Sequence, residues 1–324
     1  MRKNRLTIWL HIFGPLIGLI GVAIFFALLT GSPERYLSMT NLRVVLAQTV
    51  IVAIGAIGMT MIIISAGIDL SVGAVIALTS VVTALALRGG CAPWLALAAG
   101  VVCGGIVGAI NGLAITTLRV VPFIATLGML GIARGVAKYA ANQQTVNVPP
   151  TWINELAVTF PSRPWMLFAP GVWLTLLLAA AMTIVLRNTI FGRRVFAIGS
   201  NEAAVRACGI NVERAKVAIY TAAGLFFGLA GVTQMSRLRQ GDPTVAVGVE
   251  LDVIAAVVIG GGSLSGGEGS IPGAMIGALI MSLLRNGCQQ LGWPNYVQEI
   301  IIGIIIVLAV ALDRYRAART AEVT

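Results

Sequence analysis

The composition of this 324-residue chain excludes an ordinary soluble protein, because 58% of its residues are hydrophobic and 10% are charged, against roughly 25% charged residues in soluble domains. A membrane-spanning helix needs about 20 mostly apolar residues, so the chain can hold about ten spans within a single transmembrane domain, residues 1–324. The net charge of +10 does not indicate nucleic-acid binding, because Lys and Arg form no stripe with aromatic residues. A bias of basic residues toward the cytoplasmic side of a membrane explains it.

Apolar segments separated by Gly, Pro and charged residues predict about ten transmembrane helices in an all-α membrane protein. The basic N-terminus resembles the start of a signal peptide without a cleavage site, so the first segment is interpreted as an uncleaved span. Basic residues near both ends place both termini in the cytoplasm, which requires an even number of spans. An eight-span alternative treats residues 251–287 as re-entrant. The predicted segments are residues 12–30, 44–64, 71–87, 94–115, 122–141, 169–186, 216–235, 251–262, 271–287 and 295–311.

The segment from Ser65 to Gly73 interrupts two apolar runs with glycines, a carboxylate and a hydroxyl group. Non-helical backbone at membrane depth is tolerated only where protein or water covers it, so a broken helix is expected. Asp69 or Ser71 can cap the start of the next span. Because an intramembrane carboxylate is also a functional candidate, Asp69, Ser71 and Gly73 are candidates for a helix break or a polar path.

Charged residues inside the predicted spans are few. Arg134 and Lys138 share one face of the fifth span, and Arg285 lies in the ninth. A basic side chain at the bilayer centre costs about 2.5 to 3.5 kcal/mol. One interpretation is that these side chains extend outward to the interface. The other is that Arg134 and Lys138 line a polar exit path.

Residues 187–215 form a polar connection that we expect on the cytoplasmic side. Within it, Ser200 or Asn201 can cap a short helix, Glu202 lies in its first turn, and Gly209 can end it in a left-handed conformation. Such a helix can dock into a groove of a partner protein or lie on the membrane surface, and spacing alone leaves both open.

A glycine-rich stretch between the eighth and ninth spans contains the sequence LSGGE at residues 264–268. This sequence imitates the signature of ABC ATPases, but the chain has no G-x-x-x-x-G-K-[ST] phosphate loop. We therefore expect that the chain is not an enzyme, does not hydrolyse ATP and binds neither cofactor nor metal itself. Close helix packing and a tight turn explain the glycines. Four further residues here are helix-break or path candidates: Asp252, Gly261, Gly262 and Ser263.

An internal echo links the two halves of the chain. Gly105, Gly108 and Asn111-Gly112 end the fourth span, and Gly277 and Asn286-Gly287 end the ninth. In the ten-span topology these ends face opposite sides of the membrane. The echo indicates either an inverted repeat, as in many transporters, or a chance match of glycine-rich helices.

From about residue 47 to residue 313, the chain resembles the permeases of ribose-, xylose-, arabinose- and galactose-type ABC importers. Five segments carry the resemblance in order: GIDLSVG (67–73), VPFIATLGML (121–130), FGRRVFAIGSNEAAVRACGINVERAK (191–216), ELDVIAAVVIGGGSLSGGEGSIPGAMIGALI (250–280) and IIGIIIVLAVALD (301–313).

The resemblance implies a bacterial inner-membrane subunit that forms the transport pathway as a dimer, either with itself or with a similar permease. It implies two further partners, a periplasmic solute-binding protein and a cytoplasmic ABC ATPase with two fused nucleotide-binding domains that binds ATP and Mg²⁺. The loop of residues 193–214 would be the segment that couples the permease to the ATPase. The coupling residues implied by the family pattern are Asn201, Glu202, Ala203, Ala204, Arg206, Gly209 and Ile210.

The expected function is import of a monosaccharide or a similar small polar solute, and three alternatives stay open. A related ABC permease could carry a nucleoside, a signalling furanose or an amino acid. An ion-coupled secondary transporter usually needs a carboxylate or histidine deep in the membrane, and only Asp69 comes near this. A membrane-embedded enzyme is disfavoured, because the spans contain no constellation of catalytic residues.

Overall fold

The computed structural model describes residues 5–161 and 166–321. These residues are mostly α-helical, with a 3-10 turn at Trp152–Glu155 and a short antiparallel pair of strands, β1 (Val146–Asn147) and β2 (Gln240–Gly241). The α-helices are α1 (Arg5–Leu29), α2 (Pro33–Tyr36), α3 (Met39–Ile64), α4 (Val72–Arg88), α5 (Pro93–Thr117), α6 (Pro122–Ala140), α7 (Pro170–Asn188), α8 (Ile190–Ser200), α9 (Glu202–Ala207), α10 (Val212–Leu238), α11 (Val249–Ile259), α12 (Ile271–Gln290) and α13 (Asn295–Ala321).

Each predicted span corresponds to a helix, and the all-α membrane fold is confirmed. Among the described residues, five helices are long and apolar enough to cross a membrane, namely α3, α5, α7, α10 and α12. Helix α11 has 11 residues, a length of about 16 Å, or half of a hydrocarbon core about 30 Å thick. Because α11 cannot cross a bilayer by itself, the count of ten spans stays a prediction.

The two ends of the helix bundle are named here by the elements they carry. The lower face carries residues 189–211, and the upper face carries β1 and β2. Helix α10 runs from the lower to the upper face, because it follows residue 211 and precedes β2. Helix α5 runs the opposite way, since Gly112 near its end lies against Val217 near the start of α10. Helices α6 and α12 both begin at the lower face.

The centre of the bundle is α3, in which all of residues 50–64 are buried. It packs against α7, α10, α11 and α12, as expected of a helix that is apolar on all sides. Helix α5 packs very closely along α10. A Cβ atom on Gly104 or Gly108 would collide with the backbone of α10 at Gly224 or Tyr220. Small residues permit this close contact of two helices.

The packing supports the inverted-repeat interpretation. Helices α3 to α6 form one unit and α10 to α13 the other, and the two central helices α3 and α10 contact each other. Helix α10 packs on the hairpin of α4 and α5, and α3 packs on the corresponding hairpin of α11 and α12. Asn111 lies toward the lower face, whereas Asn286 lies toward the upper face beside Asn41. The two halves therefore have opposite orientations.

Candidate functional site

Two non-helical segments interrupt the bundle. The first break is residues 65–71 between α3 and α4, and the second break is residues 239–248 between α10 and α11. The first break confirms the broken helix expected from the sequence. The second was predicted only as a connection between two spans. It contains Pro243, which lacks an N–H group and cannot continue a regular helix.

The starts of α4 and α11 lie side by side inside the bundle. A Cβ atom on Gly73, the second residue of α4, would collide with the carboxylate of Glu250 in α11. A Cβ atom on Gly55 in α3 would lie 3.0 Å from Val253. Gly55 precedes the lower end of α3 by nine residues, so this meeting point lies about 14 Å inside the bundle.

Neighbouring helices bond the carboxylate and hydroxyl groups of the first break, whereas Asn111 Oδ1 is buried without a partner among the described residues. Asp69 Oδ1 accepts hydrogen bonds from the Ser71 backbone N–H at 2.7 Å and from Ser71 Oγ at 2.6 Å. From α5, Asn111 Nδ2 donates to Ser71 Oγ at 3.0 Å and to Asp69 Oδ2 at 3.3 Å. From α6, Thr126 Oγ1 accepts from the Leu70 N–H at 3.1 Å. All of these except Leu70 are almost fully buried.

These contacts decide between the two predicted caps of α4. Ser71 occupies the N-cap position, but its side chain makes no capping hydrogen bond to the helix. Asp69 instead accepts the N–H of Ser71 itself, one position before the first helical residue. Asp69 therefore fixes the backbone at Ser71, directly before α4, which is a structural role for a buried carboxylate.

The second break is held by an arginine from α6. Arg134 Nη1 donates to the carbonyl oxygens of Pro243 at 3.2 Å and Val245 at 2.5 Å. The following residues begin α11, where Glu250 Oε1 accepts from the Gly248 N–H at 3.2 Å. Backbone carbonyls that would lack partners inside a membrane are thereby bonded by a cation.

A salt bridge joins the start of α11 to α12. Asp252 Oδ2 accepts a hydrogen bond from Arg285 Nε at 2.8 Å, and Arg285 Nη2 lies 2.7 Å from the same oxygen. Arg134 and Arg285 both bond groups around the second break, and the interpretation that they extend toward the interface stays a prediction. The sequence pattern identifies Asp252 and Arg134 as candidates but does not identify Glu250 and Arg285. Only the packing of α6 and α12 brings them to this place.

The other candidates near α11 lie at a different level. Gly261, Gly262 and Ser263 belong to the loop of residues 260–270 at the lower face, about 14 Å from Asp252 along α11. In this loop the Gly267 N–H donates to the Ile64 carbonyl at 2.8 Å. The LSGGE sequence thus forms a tight loop between helices, as its glycines predict.

The loop of residues 260–270 also contacts α8, a helix that was not predicted as a separate element. Gly199 in α8 has no room for a Cβ atom, which would collide with the Ile64 carbonyl and lie 2.5 Å from the Gly267 nitrogen. The end of α8 is therefore packed against both the end of α3 and the loop that leads into α12.

Helix α9 follows α8 directly and has the expected caps. Asn201 Oδ1 accepts from the Ala204 N–H at 2.9 Å, and Gly209 has φ +78°. Its buried residue is Val205. The predicted coupling residues Asn201, Ala203, Ala204, Arg206 and Gly209 are exposed at the lower face, and Glu202 and Ile210 are half-buried.

An ion-pair network attaches α9 to α10. Glu202 bonds Arg206 at 2.9 Å and Lys216 at 2.7 Å, and Arg206 also pairs with Glu213. Partial burial disfavours the charged form of Glu202, but the hydrogen bonds from Lys216 and Arg206 outweigh it and lower its pKa. Hydrogen bonds to Glu213 and then Glu202 raise the pKa of Arg206. The network connects α9 to the first two turns of α10.

Comparison with known proteins identifies one family and several relatives. The family described as "Branched-chain amino acid transport system / permease component" matches residues 41–310. The chain is 40% identical to the ribose import permease protein RbsC of Escherichia coli (strain K12), over 91% of this chain and 92% of that protein. It is 41% identical to the ribose import permease of Bacillus subtilis (strain 168), over 94% and 93%. It is 34% identical to the fructose import permease FrcC of Rhizobium meliloti, over 93% and 84%. No solved structure matches the chain.

Proposed function

Because this chain belongs to the family of branched-chain amino acid transport system permease components, we propose that it is the membrane-spanning subunit of an ABC importer for a monosaccharide. The relatives named for ribose, fructose and L-arabinose cover about nine tenths of the chain. The identity of 40% to ribose permeases makes a pentose the first solute to test. The protein resides in the bacterial inner membrane with both termini in the cytoplasm.

The observation that carries the proposal is helix α9, which is exposed at the lower face and attached to α10 by ion pairs. Its outward residues Ala203, Ala204 and Ala207 are small, so a partner can approach the helix backbone closely. Its N-cap and its ion pairs hold it in place. This is what a docking element for a cytoplasmic ATPase requires, whereas a helix lying on the membrane needs an apolar face.

The motion of α9 has a direct route into the bundle. Helix α8 precedes α9, and Gly199 near its end contacts both Ile64 and Gly267. Ile64 leads into the first break, and Gly267 lies between α11 and α12. When ATP closes the two fused nucleotide-binding domains, the displacement of α9 therefore acts on the first break through Ile64 and on the second break through α11. ATP and Mg²⁺ are bound by this partner, and a periplasmic binding protein delivers the solute to the upper face of a permease dimer.

Among the path candidates, the second break is better suited to solute passage than the first. Asp69 and Ser71 are bonded within the protein and buried, so their role is structural. Arg134 and Asp252 hold the start of α11, and Gly73 supplies the space beside it. Gly261, Gly262 and Ser263 connect α11 to the coupling elements.

The experiment is reconstitution of the chain with its ATPase in proteoliposomes, with the binding protein added outside. We expect uptake of labelled ribose, fructose or arabinose that requires ATP, and none with an ATPase variant that lacks its phosphate-loop lysine. Uptake of leucine but of none of the sugars would assign the chain to amino acids. Uptake that persists without ATP would contradict the importer mechanism.

Two substitutions in the coupling segment test its role. Glu202→Lys removes the acceptor of two ion pairs, and Gly209→Val places a β-branched residue at φ +78°, a conformation that strains such residues. Both variants should insert in the membrane and lose ATP-driven uptake. Unchanged uptake at equal expression would remove the segment from the mechanism.

A further inference from the structure

The second break presents polar groups at the surface of the chain, whereas the polar side chains of the first break are buried. Arg285 is 31% exposed although it bonds a buried aspartate. Arg134 and Glu250 are half-buried. Beside them, Val247 is 74% exposed and Leu251 is 44% exposed. The surface formed by these five residues is called the second-break surface below.

The second-break surface lies within the length of the long helices, in the part nearer the upper face. Arg134 is twelve residues from the start of α6 at the lower face, and Arg285 is fourteen residues from the start of α12, or about 18 and 21 Å along the two helices. The hydrocarbon core is about 30 Å thick, so both positions fall within it, about 9 to 12 Å from its upper boundary. A basic side chain here costs about 2.5 to 3.5 kcal/mol if lipid surrounds it.

The carboxylate of Glu250 is incompletely bonded. Its Oε1 accepts from the Gly248 N–H at 3.2 Å. Its Oε2 is buried and has no hydrogen-bond partner among the described residues, and it lies against Gly73, which has no side chain. A carboxylate oxygen without a donor is costly in a dry interior. A small displacement of α4 from α11 would open this oxygen to water or to a hydroxyl group of a solute.

From these observations we propose that the second-break surface is the wall of a water-filled path, and that Glu250 is the residue on it that accepts hydrogen bonds from solute hydroxyl groups. Charged side chains inside membranes face aqueous cavities or partners rather than lipid. The proposal rests on the proposed function for the identity of the solute. The presence of water at this surface does not depend on it.

Thiol labelling distinguishes water from lipid at this depth. The chain is first freed of Cys91, Cys103, Cys208 and Cys288, and Val247→Cys is introduced. The control is Ile106→Cys on α5, which is 55% exposed in the isolated chain and lies about 16 Å from the lower end of its helix. Both variants are labelled in proteoliposomes with a membrane-impermeant sulfonate methanethiosulfonate, without nucleotide and in the vanadate-trapped state of the complete transporter.

We expect the Val247→Cys variant to be labelled at least about tenfold faster than the control variant in one of the two states, because the reagent is water-soluble and reacts with the thiolate. A second variant, Leu251→Cys, should also be labelled faster than the control. It provides the test if Val247→Cys does not fold. If both variants react as slowly as Ile106→Cys in both states, the surface is dry and the proposal is wrong.

Glu250→Gln tests the contact with the solute. It keeps the shape of the side chain and one acceptor oxygen, so the complex should assemble and hydrolyse ATP while uptake of the sugar falls about tenfold, the effect of one lost charge-assisted hydrogen bond. Unchanged uptake would exclude the contact. If the parent protein takes up the sugar normally but residues 247 and 251 are not labelled, the water-filled path is wrong and the proposed function stands. If these residues are labelled but no sugar is taken up, only the assigned solute is wrong.

Discussion

The two breaks occupy corresponding positions in the inverted halves, yet they are stabilised in different ways. At the first break, Asp69, Ser71 and Asn111 bond one another in a buried cluster. At the second, Arg134 bonds two backbone carbonyls from the side, and the neighbouring charges are partly exposed. One half of the repeat thus carries a closed polar anchor, and the other carries an open charged surface.

From this difference we expect the first break to be the more rigid of the two and the second to be the more adaptable. At the first break, each of the hydrogen bonds among Asp69, Ser71 and Asn111 is buried, so opening one leaves further polar groups without partners. A guanidinium bonded to carbonyls can exchange them for water or for other acceptors at little cost. We expect substitutions at the first break to act on stability and those at the second to act on transport.

The largest effect is expected from Asp69→Ala at the first break. It leaves the Ser71 N–H and the Ser71 hydroxyl without an acceptor in a buried site, and the Asn111 amide keeps only Ser71 Oγ, which together costs about 3 kcal/mol or more. The melting temperature of the purified protein in detergent should fall sharply. Asp69→Asn, which retains one acceptor oxygen, is the matched control and should be less destabilised. Equal melting of Asp69→Ala and the parent would contradict the anchor role.

The next effect is expected from Gly199→Ala, which acts on the connection between α8 and both breaks. The added Cβ would collide with the Ile64 carbonyl, so α8 must move away and ATP-driven uptake should fall by about tenfold or more. Gly128→Ala in α6 has open space around it and serves as the control with the same chemical change. If both variants transport like the parent, α8 does not transmit the motion.

A smaller effect is expected from Arg134→Lys at the second break. Lysine keeps the charge, but its shorter, unbranched side chain does not place a donor where Nη1 of Arg134 bonds both carbonyls. Uptake should fall about three- to tenfold through a lower maximal rate, with the melting temperature close to that of the parent. A melting temperature as low as that of Asp69→Ala would show that both breaks are structural anchors.

The smallest effect is a pH dependence at α9. The pKa of Glu202 in the folded protein lies below the ordinary value of 4.5, so its ion pairs contribute stability that is fully present above 4.5. The contribution is lost as the pH falls through the lower, folded-state pKa. The difference in stability between the parent and Glu202→Gln should therefore be constant around neutral pH and shrink below 4.5. A difference that shrinks already near neutrality would contradict these pairs.

Much of the fold could be predicted from the sequence because its signals are local. Runs of apolar residues and their Gly and Pro boundaries located the helices, and Asn201 with Gly209 located the short helix α9. The polar segment around Asp69 located the first break. The partners of Asp69 could not be predicted, because Asn111 and Thr126 lie on helices distant in the sequence.

The second break is the clearest case in which the sequence was insufficient. Residues 239–248 were interpreted as a connection between two spans, and Arg134 and Arg285 as side chains that reach an interface. Their bonds to Pro243, Val245 and Asp252 arise only when α6 and α12 pack against α11. Glu250 could be suspected only from its place beside Asp252 in a glycine-rich stretch.

By itself the sequence determined that the protein is embedded in a membrane, where its apolar helices lie, that α9 is a capped helix, and that the chain resembles sugar importers. These properties depend on composition and on residues close together in the chain. The tertiary structure decided which charges are bonded inside the membrane, which break has buried polar side chains, and how α8 joins both breaks to α9. Those properties depend on contacts between helices that are far apart in the sequence, and hydropathy does not encode the partner of a buried charge.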